Sequence, residues 1–204
     1  DGLQHHALAR DLEIVVLDAA RGLGNGRRLP AGPLREGPAR LARVDWVVLH
    51  DTAGGEGSAA PWRGREGVLR MRLLPGPARR LSADGAAADE TRPLEAFAGG
   101  PVHAVAGIGD PARFFAMLRA AGLSPREHAF PDHHAFSAAD LDFGDGAPVL
   151  MTSKDAVKCR RFADHRCWEV PVEARLGPDD GAALITRLAA LAADTPLPAA
   201  RWTR

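Results

Sequence analysis

The 204 residues predict an α/β fold, a partial parallel sheet followed by a smaller α/β domain. Residues 12–18 (LEIVVLD) and 44–49 (VDWVVL) are short, continuously apolar runs, the pattern of strands buried on both faces of a parallel sheet. A second observation is a strand-loop-helix unit: an apolar run at 102–106, a Gly107-Ile108-Gly109 turn, and a helical stretch opened by Pro111 and closed by Gly122. Strands that alternate with helices in this way define the α/β class.

Taken in order, the two apolar runs are separated by residues 21–38 (RGLGNGRRLPAGPLREGP), too rich in glycine and proline for helix or strand. A loop of that length is functional or disordered. After a flexible break at 54–58, residues 68–74 (VLRMRLL) and 79–82 flank Pro75-Gly76 and predict a hairpin, with apolar residues and arginines alternating as in a strand. The helix from Pro111 runs to about residue 121. Further strands are expected at 127–130, 149–152 and 167–172, and helices at 153–162 and 178–193. The expected domains are 1–62, a linking hairpin region 63–98, and a C-terminal α/β domain 99–204.

Lysine plus arginine equals aspartate plus glutamate at 26 each, so the chain lacks the basic field that collects nucleic-acid phosphates, and no nucleic-acid partner is expected. Cys159 and Cys167 have no CxxC spacing and read as reduced thiols. No apolar run approaches the roughly 20 residues that a membrane-spanning helix needs. The chain opens on Asp1 rather than methionine, within a polar motif, and the expectation is that upstream sequence is missing.

Four segments can bear chemistry. Asp1-Gly2-Leu3-Gln4-His5 sets an acid, an amide and an imidazole before a strand. It is either an acid that holds Mg²⁺ beside a phosphate or a solvated terminus. Residues 21–36 combine glycines, whose backbone amides approach anions closely, with arginines that fork onto phosphate oxygens; a solvated basic loop is the other reading. Phe130-Pro131-Asp132-His133-His134-Ala135-Phe136 puts an acid and two histidines at the C-terminal end of a strand, where open α/β sheets place their chemistry. A histidine there can polarise a catalytic carboxylate, and metal binding competes with that role. Thr152-Ser153-Lys154-Asp155 reads as a helix cap and first turn, with Lys154 in reach of a phosphate or carboxylate as the lesser alternative.

Together, DGLQHHALARDLEIVVLDAARGLGNGRRLPAGPLRE, AVAGIGDPARFF, EHAFPDHHAF and LMTSKDAVKC resemble, in order, segments of the tetraacyldisaccharide 4'-kinases, the lipid A 4'-kinases of Gram-negative bacteria. The resemblance implies a P-loop-type α/β fold with a smaller α/β domain joined by two linking strands, which the expected hairpin would supply. It implies transfer of the γ-phosphate of ATP, with Mg²⁺, to the 4'-hydroxyl of tetraacyldisaccharide 1-phosphate at the cytoplasmic face of the bacterial inner membrane. Asp1 then matches the second acid of the family's DDGxQH motif, near the metal and phosphates, with Gln4 and His5 in the same motif. Arg35 and Glu36 match a segment bordering the substrate cleft. Asp132 and His133 match a DH pair whose histidine supports the general-base aspartate.

Departures from the family pattern are also present. The 204 residues hold no GxxxxGK[ST], the base aspartate and the first acid of DDG are absent, Gly37 interrupts the usual REP run, and Ser153 stands where glutamate is common. A chain without its phosphate cradle is expected to be inactive by itself, because phosphoryl transfer depends on positioning and electrostatic stabilisation. Poor solubility is expected too, from an unpaired hydrophobic edge at residues 12–18. A glycolipid-binding homologue without catalysis and a metal-dependent phosphoesterase built on Asp132, His133 and His134 are the alternative functions.

Overall fold

The computed structural model describes residues 3, 7, 9–51, 66–81 and 90–194. Asp1, Gln4 and His5, singled out in the sequence, lie outside the described residues. The chain divides into two compact units, residues 1–73 with 174–204, and residues 74–173. The boundaries of these units fall at 73/74 and 173/174, whereas the sequence reading places its divisions at 62 and 98.

In the first unit, β1 (Ile14–Asp18) and β2 (Trp46–His50) pair in parallel, and β3 (Val68–Pro75) adds in parallel on the other side of β2. The strand β10 (Val172–Leu176) completes the order β1-β2-β3-β10. As a central strand, β2 buries Val47, Val48 and Leu49, as its unbroken apolar run requires. At the edge, β1 packs Val15 and Leu17 against the core but exposes Ile14 and Val16, so residues 12–18 are not buried on both faces as expected. A 3₁₀ turn at Pro38–Arg43 delivers Leu41 to the same core. The C-terminal helix α3 (Pro178–Asp194) ties in through Asp180, whose carboxylate accepts the Arg70 backbone N–H at 2.8 Å.

The expected hairpin at 68–82 does not form. β3 pairs with β2, whereas β4 (Ala78–Arg80) runs antiparallel to β9 (Cys167–Val170) and to β5 (Thr91–Arg92) in a different sheet. Gly76, read as the turn residue, instead donates its N–H to the Pro171 carbonyl at 2.9 Å. Local alternation between apolar and charged residues is the same for a hairpin arm and for a half-buried strand with distant partners, so the sequence alone does not separate the two. Pro171 likewise divides the expected strand 167–172 into β9 and β10, since proline lacks the N–H that a continuing ladder needs.

The sheet of the second unit has the order β5-β4-β9-β8-β6-β7, with β6 (His103–Ala106), β7 (Arg126–Ala129) and β8 (Val149–Thr152) parallel to one another and to β9. Alternation along the strands sorts the side chains onto two faces. Ala104, Ala106, Leu150, Trp168 and Val170 meet Phe97, Phe114, Phe115 and Leu118 in one cluster, which includes helix α1 (Pro111–Ala120). Val105, Val149, Met151 and Cys167 meet Phe136, Leu141, Ala156 and Cys159 in the other, which includes helix α2 (Ser153–Cys159). Each large apolar side chain buried in these layers contributes roughly 1.5–3 kcal/mol. The helix expected at 153–162 turns 3₁₀ after Cys159, at Arg160–Phe162.

Candidate functional site

The chain leaves β6 through α1 to reach β7 on one side, and leaves β8 through α2 to reach β9 on the other. Loops from two adjacent strands therefore depart in opposite directions, which opens a crevice at the C-terminal ends of β6 and β8. The floor of that crevice is Asp155, completely buried. One of its oxygens accepts the Gly107 N–H at 2.9 Å and the Thr152 hydroxyl at 2.7 Å, while the other accepts the Lys158 ammonium at 3.1 Å. Thr152 caps α2 by accepting the Asp155 N–H. A buried carboxylate survives only when its lone pairs are taken up in this way. The result is that the turn after β6 is pinned to the first turn of α2. A Cβ at Gly107 would lie 3.0 Å from the ring of the buried Phe136, so a side chain fits there only if that ring gives way.

Above this floor stands Asp132, in the loop after β7. Lys154, one residue before the buried acid, donates from Nζ to Asp132 Oδ1 at 2.9 Å. Asp132 Oδ1 also accepts the His133 backbone N–H at 3.0 Å, and His133 Nε2 lies 3.7 Å from Oδ2. The Lys154 ammonium is the main reason that the Asp132 carboxyl is held below the usual carboxylate range, with His133 adding to it. His133 adopts φ 63°, the left-handed region that a non-glycine residue enters at a cost, and its side chain is 79% exposed. The backbone thus presents the imidazole outward, beside an ionised carboxylate.

His134 is different. Its ring packs between Phe130 and Phe136, with centroids 4.7 and 4.8 Å away, and Nε2 meets Asp140 at 3.3 Å. Asp140 accepts the Ser137 N–H and hydroxyl, each at 2.8 Å, and these bonds lead the lowering of its pKa. The adjacent histidines therefore serve different partners. Among the described residues no three His, Cys, Asp or Glu side chains converge so as to hold a metal.

In the first unit, residues 19–37 form an ordered loop. Asp18 Oδ1 accepts the N–H groups of Ala20 and Arg21, and Asn25 closes a turn by donating to the Ala31 carbonyl at 2.9 Å and accepting from Arg27 N–H at 3.0 Å. Gly32 is required here, because a Cβ would fall 2.4 Å from the Arg27 carbonyl oxygen. Arg35 and Glu36 lie at the end of this loop, in a groove of about 490 Å³ that they share with Arg28, Arg40 and Arg43. Arg40 grips Glu13 at 2.6 and 2.7 Å and stands 3.6 Å from Glu36. The Arg40 hydrogen bond is the chief cause that keeps the Glu13 carboxyl below its usual range.

The sequence places Asp155 only in the first turn of a helix, complementing its dipole; its complete burial is hidden there, since an acid in a helical first turn is ordinarily solvated. It also missed a cluster at the opposite end of β6. There the buried His103 joins His128 at 2.8 Å and Asp145 at 3.1 Å, with Phe143 stacked on both imidazoles. Three residues so far apart in the chain carry no shared local signal. Cys159 and Cys167 are buried, and burial pushes their thiols up to about 12 and about 11, so neither is poised as a nucleophile.

Two largely parallel sheets in one chain, one with an acid-histidine pair beyond a strand end and the other with an arginine-rich loop, define an α/β protein of the kind whose sheets offer crevices at strand C-termini. The particular family follows from comparison. The model of the LpxK family, tetraacyldisaccharide-1-P 4'-kinase, matches residues 1–192, and the chain belongs to that family. It is 52% identical over 178 residues to the tetraacyldisaccharide 4'-kinase of Alkalilimnicola ehrlichii, covering 87% of this chain and 49% of that protein. It is 53% identical over 188 residues to that of Azoarcus sp. strain BH72, covering 92% and 52%. Among solved structures it is similar to LpxK from Aquifex aeolicus in complex with ATP, at TM-score 0.63 and 28% identity, covering 92% of this chain and 56% of that one. The chain spans about half the length of the curated relatives it matches.

Proposed function

We propose that this chain is part of an enzyme of lipid A biosynthesis that transfers the γ-phosphate of ATP to the 4'-hydroxyl of tetraacyldisaccharide 1-phosphate, at the cytoplasmic face of the bacterial inner membrane. The family match over residues 1–192 carries this reading. Its chemistry asks for a pre-positioned acid-histidine pair, and the Asp132–His133 arrangement supports that: Lys154 fixes the carboxylate, and the strained backbone turns the imidazole outward. In this reading Asp132 holds His133 so that its ring polarises the base that takes the sugar hydroxyl proton. By the family resemblance, Arg35, Glu36 and His5 are assigned to the substrate, and Asp1 and Gln4 to the phosphates, with Asp1 helping to hold Mg²⁺.

The sequence contains no GxxxxGK[ST], and among the described residues no three His, Cys, Asp or Glu side chains converge on a metal; Asp1, the candidate Mg²⁺ ligand, lies outside those residues. When bound, Mg²⁺-ATP supplies the phosphoryl group and neutralises its developing charge. What this chain contributes is the orientation of groups around the acceptor.

The test is a phosphotransfer assay with ATP, Mg²⁺ and tetraacyldisaccharide 1-phosphate, run on this chain and on a protein of the relatives' full length that contains it. Transfer to the 4'-position by the longer protein, reduced on substitution of His133, is the expected result. Lack of transfer by the longer protein under conditions where a family member turns over would overturn the assignment.

A further inference from the structure

Two imidazoles inside the 74–173 unit take no part in the proposed phosphoryl transfer. His103 is buried at the start of β6; its Nδ1 lies 2.8 Å from His128 Nε2, and its Nε2 lies 3.1 Å from both oxygens of Asp145. The Phe143 ring stacks on both imidazoles, with centroids 4.0 and 4.1 Å away. The Ala147 N–H, then the His103 bond, hold the Asp145 carboxyl below the usual range, so it is an ionised acceptor. His103 Nε2 therefore donates to it, and a single hydrogen occupies the space between the two rings. With both imidazoles protonated, two N–H groups and two like charges would face each other across that 2.8 Å. The strand β7 depends on this contact. It is the edge strand of its sheet, with β6 as its one neighbour. Arg126, Glu127 and Ala129 are exposed, and of the four residues only His128 is partly buried. Otherwise β7 is held by its ladder to β6: the Arg126 N–H donates to the Val102 carbonyl at 2.8 Å and the Phe130 N–H to the Ala106 carbonyl at 2.9 Å. The ion pairs of Arg126 with Asp145 and of Glu127 with Arg119 lie at the surface, where such pairs contribute little.

Burial, then the charges of His103 and Arg126, hold the His128 imidazole below the ordinary histidine range. The other charged groups nearby are engaged elsewhere: Asp142 accepts the Gly144 N–H and acts on Arg166, and Glu127 turns to Arg119 on α1. The folded chain thus takes up this proton less readily than the unfolded one. The contact is complete well above about pH 6.5 and is lost as pH falls toward the depressed folded value. We propose that His103, His128 and Asp145 form a proton-operated latch: charging both imidazoles expels the His128 ring from beneath Phe143 and releases β7 together with the Asp132–His133 loop that follows it. Closed, the latch places that loop; open, it withdraws the acid-histidine pair without unfolding the unit. The consequence for catalysis rests on the proposed function, whereas the latch itself does not.

The experiment is amide hydrogen exchange of the chain, followed by ¹H–¹⁵N NMR at about pH 7.5 and about pH 5.5, on either side of the ordinary histidine value, with rates corrected for the intrinsic effect of pH. Protection of the Arg126 and Phe130 amides should fall about tenfold or more between the two, since one extra proton shifts an equilibrium by up to about tenfold per pH unit. The Val149 amide, which donates to the Arg166 carbonyl at 2.8 Å in the same sheet, should keep its protection. His128→Gln and His128→Phe carry no titrating charge, and each should abolish the pH difference at Arg126 and Phe130. Two variants are used so that one whose thermal transition shows a damaged fold does not stop the comparison. The proposal is overturned by protection that is the same at both pH values in the wild-type chain, or by an equal fall at Val149, which is unfolding of the whole unit. It is equally overturned by a pH difference that survives in either folded variant. None of these outcomes depends on phosphoryl transfer, so a failure of the kinase reading and a failure of the latch are told apart.

Discussion

Replacing Asp155 by alanine removes the carboxylate that joins the turn after β6 to the start of α2, and the structure sets the size of the loss. Three donors go unanswered: the Gly107 N–H, the Thr152 hydroxyl and the Lys158 ammonium. Removing one partner of a buried charge pair costs about 3–5 kcal/mol. Lys158 is partly exposed and can turn to water, whereas the Gly107 N–H cannot, so the lower end applies, about 3 kcal/mol. For a domain of ~100 residues each kcal/mol lowers the melting temperature by about 4–8 °C, which makes the expected fall about 12–24 °C. Asp155→Asn keeps one oxygen for Gly107 and Thr152 and loses only the ion pair, at about 1–2 kcal/mol. Guanidinium unfolding followed by tryptophan fluorescence reads both, because Trp168 is buried against Phe97 in the same unit, at 5.2 Å between ring centroids. A loss below about 1 kcal/mol for Asp155→Ala, with a native far-ultraviolet spectrum, would refute the claim that this carboxylate holds the crevice together.

Gly107→Ala forces a methyl against the Phe136 ring and toward Asp155 Oδ1, and should destabilise by about 1–3 kcal/mol in the same unfolding assay. Burial is the first cause lowering the His128 pKa, followed by the charges of His103 and Arg126. The unfolded chain then binds the proton more readily than the folded one. The stability this gives is therefore complete well above the ordinary histidine pKa and is lost as pH falls through about 6.5 toward the depressed folded value. His128→Gln should flatten the pH dependence of unfolding in that window, and an unchanged slope would contradict it. In the full-length protein, His133→Ala should lower kcat about 10²–10⁴-fold with little change in KM, as for a residue assisting proton transfer. An equal effect on KM alone would make it a binding group.

Much of the fold was legible because it is encoded locally. The apolar runs before and after residues 21–38, Pro111 opening α1, and the threonine cap of α2 each state their own structure. Pairing partners were not legible. The alternation V-L-R-M-R-L-L in β3 says that one face is half-buried, and nothing in it says that its neighbours are β2 and a strand some hundred residues later. The candidate site divided in the same way. Asp132 and His133 stood out as unusual residues at a strand end, while Lys154 and Asp155, equally involved, looked like an ordinary helix start. Their roles depend on burial and on a partner strand, which a linear reading does not contain.

The hydrogen bond from Gly76 to Pro171 brings together the two points at which the chain enters and leaves the 74–173 unit. During synthesis β3 emerges about a hundred residues before β10, so one neighbour of β3 in the sheet does not exist until the whole intervening unit has been made. At about 5–20 residues per second that wait is roughly 5–20 s. Closing ~100 unfolded residues into a loop costs about 4 kcal/mol of chain entropy by the logarithmic rule. If the intervening unit folds as it emerges, Gly76 and Pro171 are already side by side, and β10 is delivered to β3 with that cost met. The first unit's sheet thus inherits its last strand from the folding of another unit, and order of synthesis becomes part of how this fold is reached.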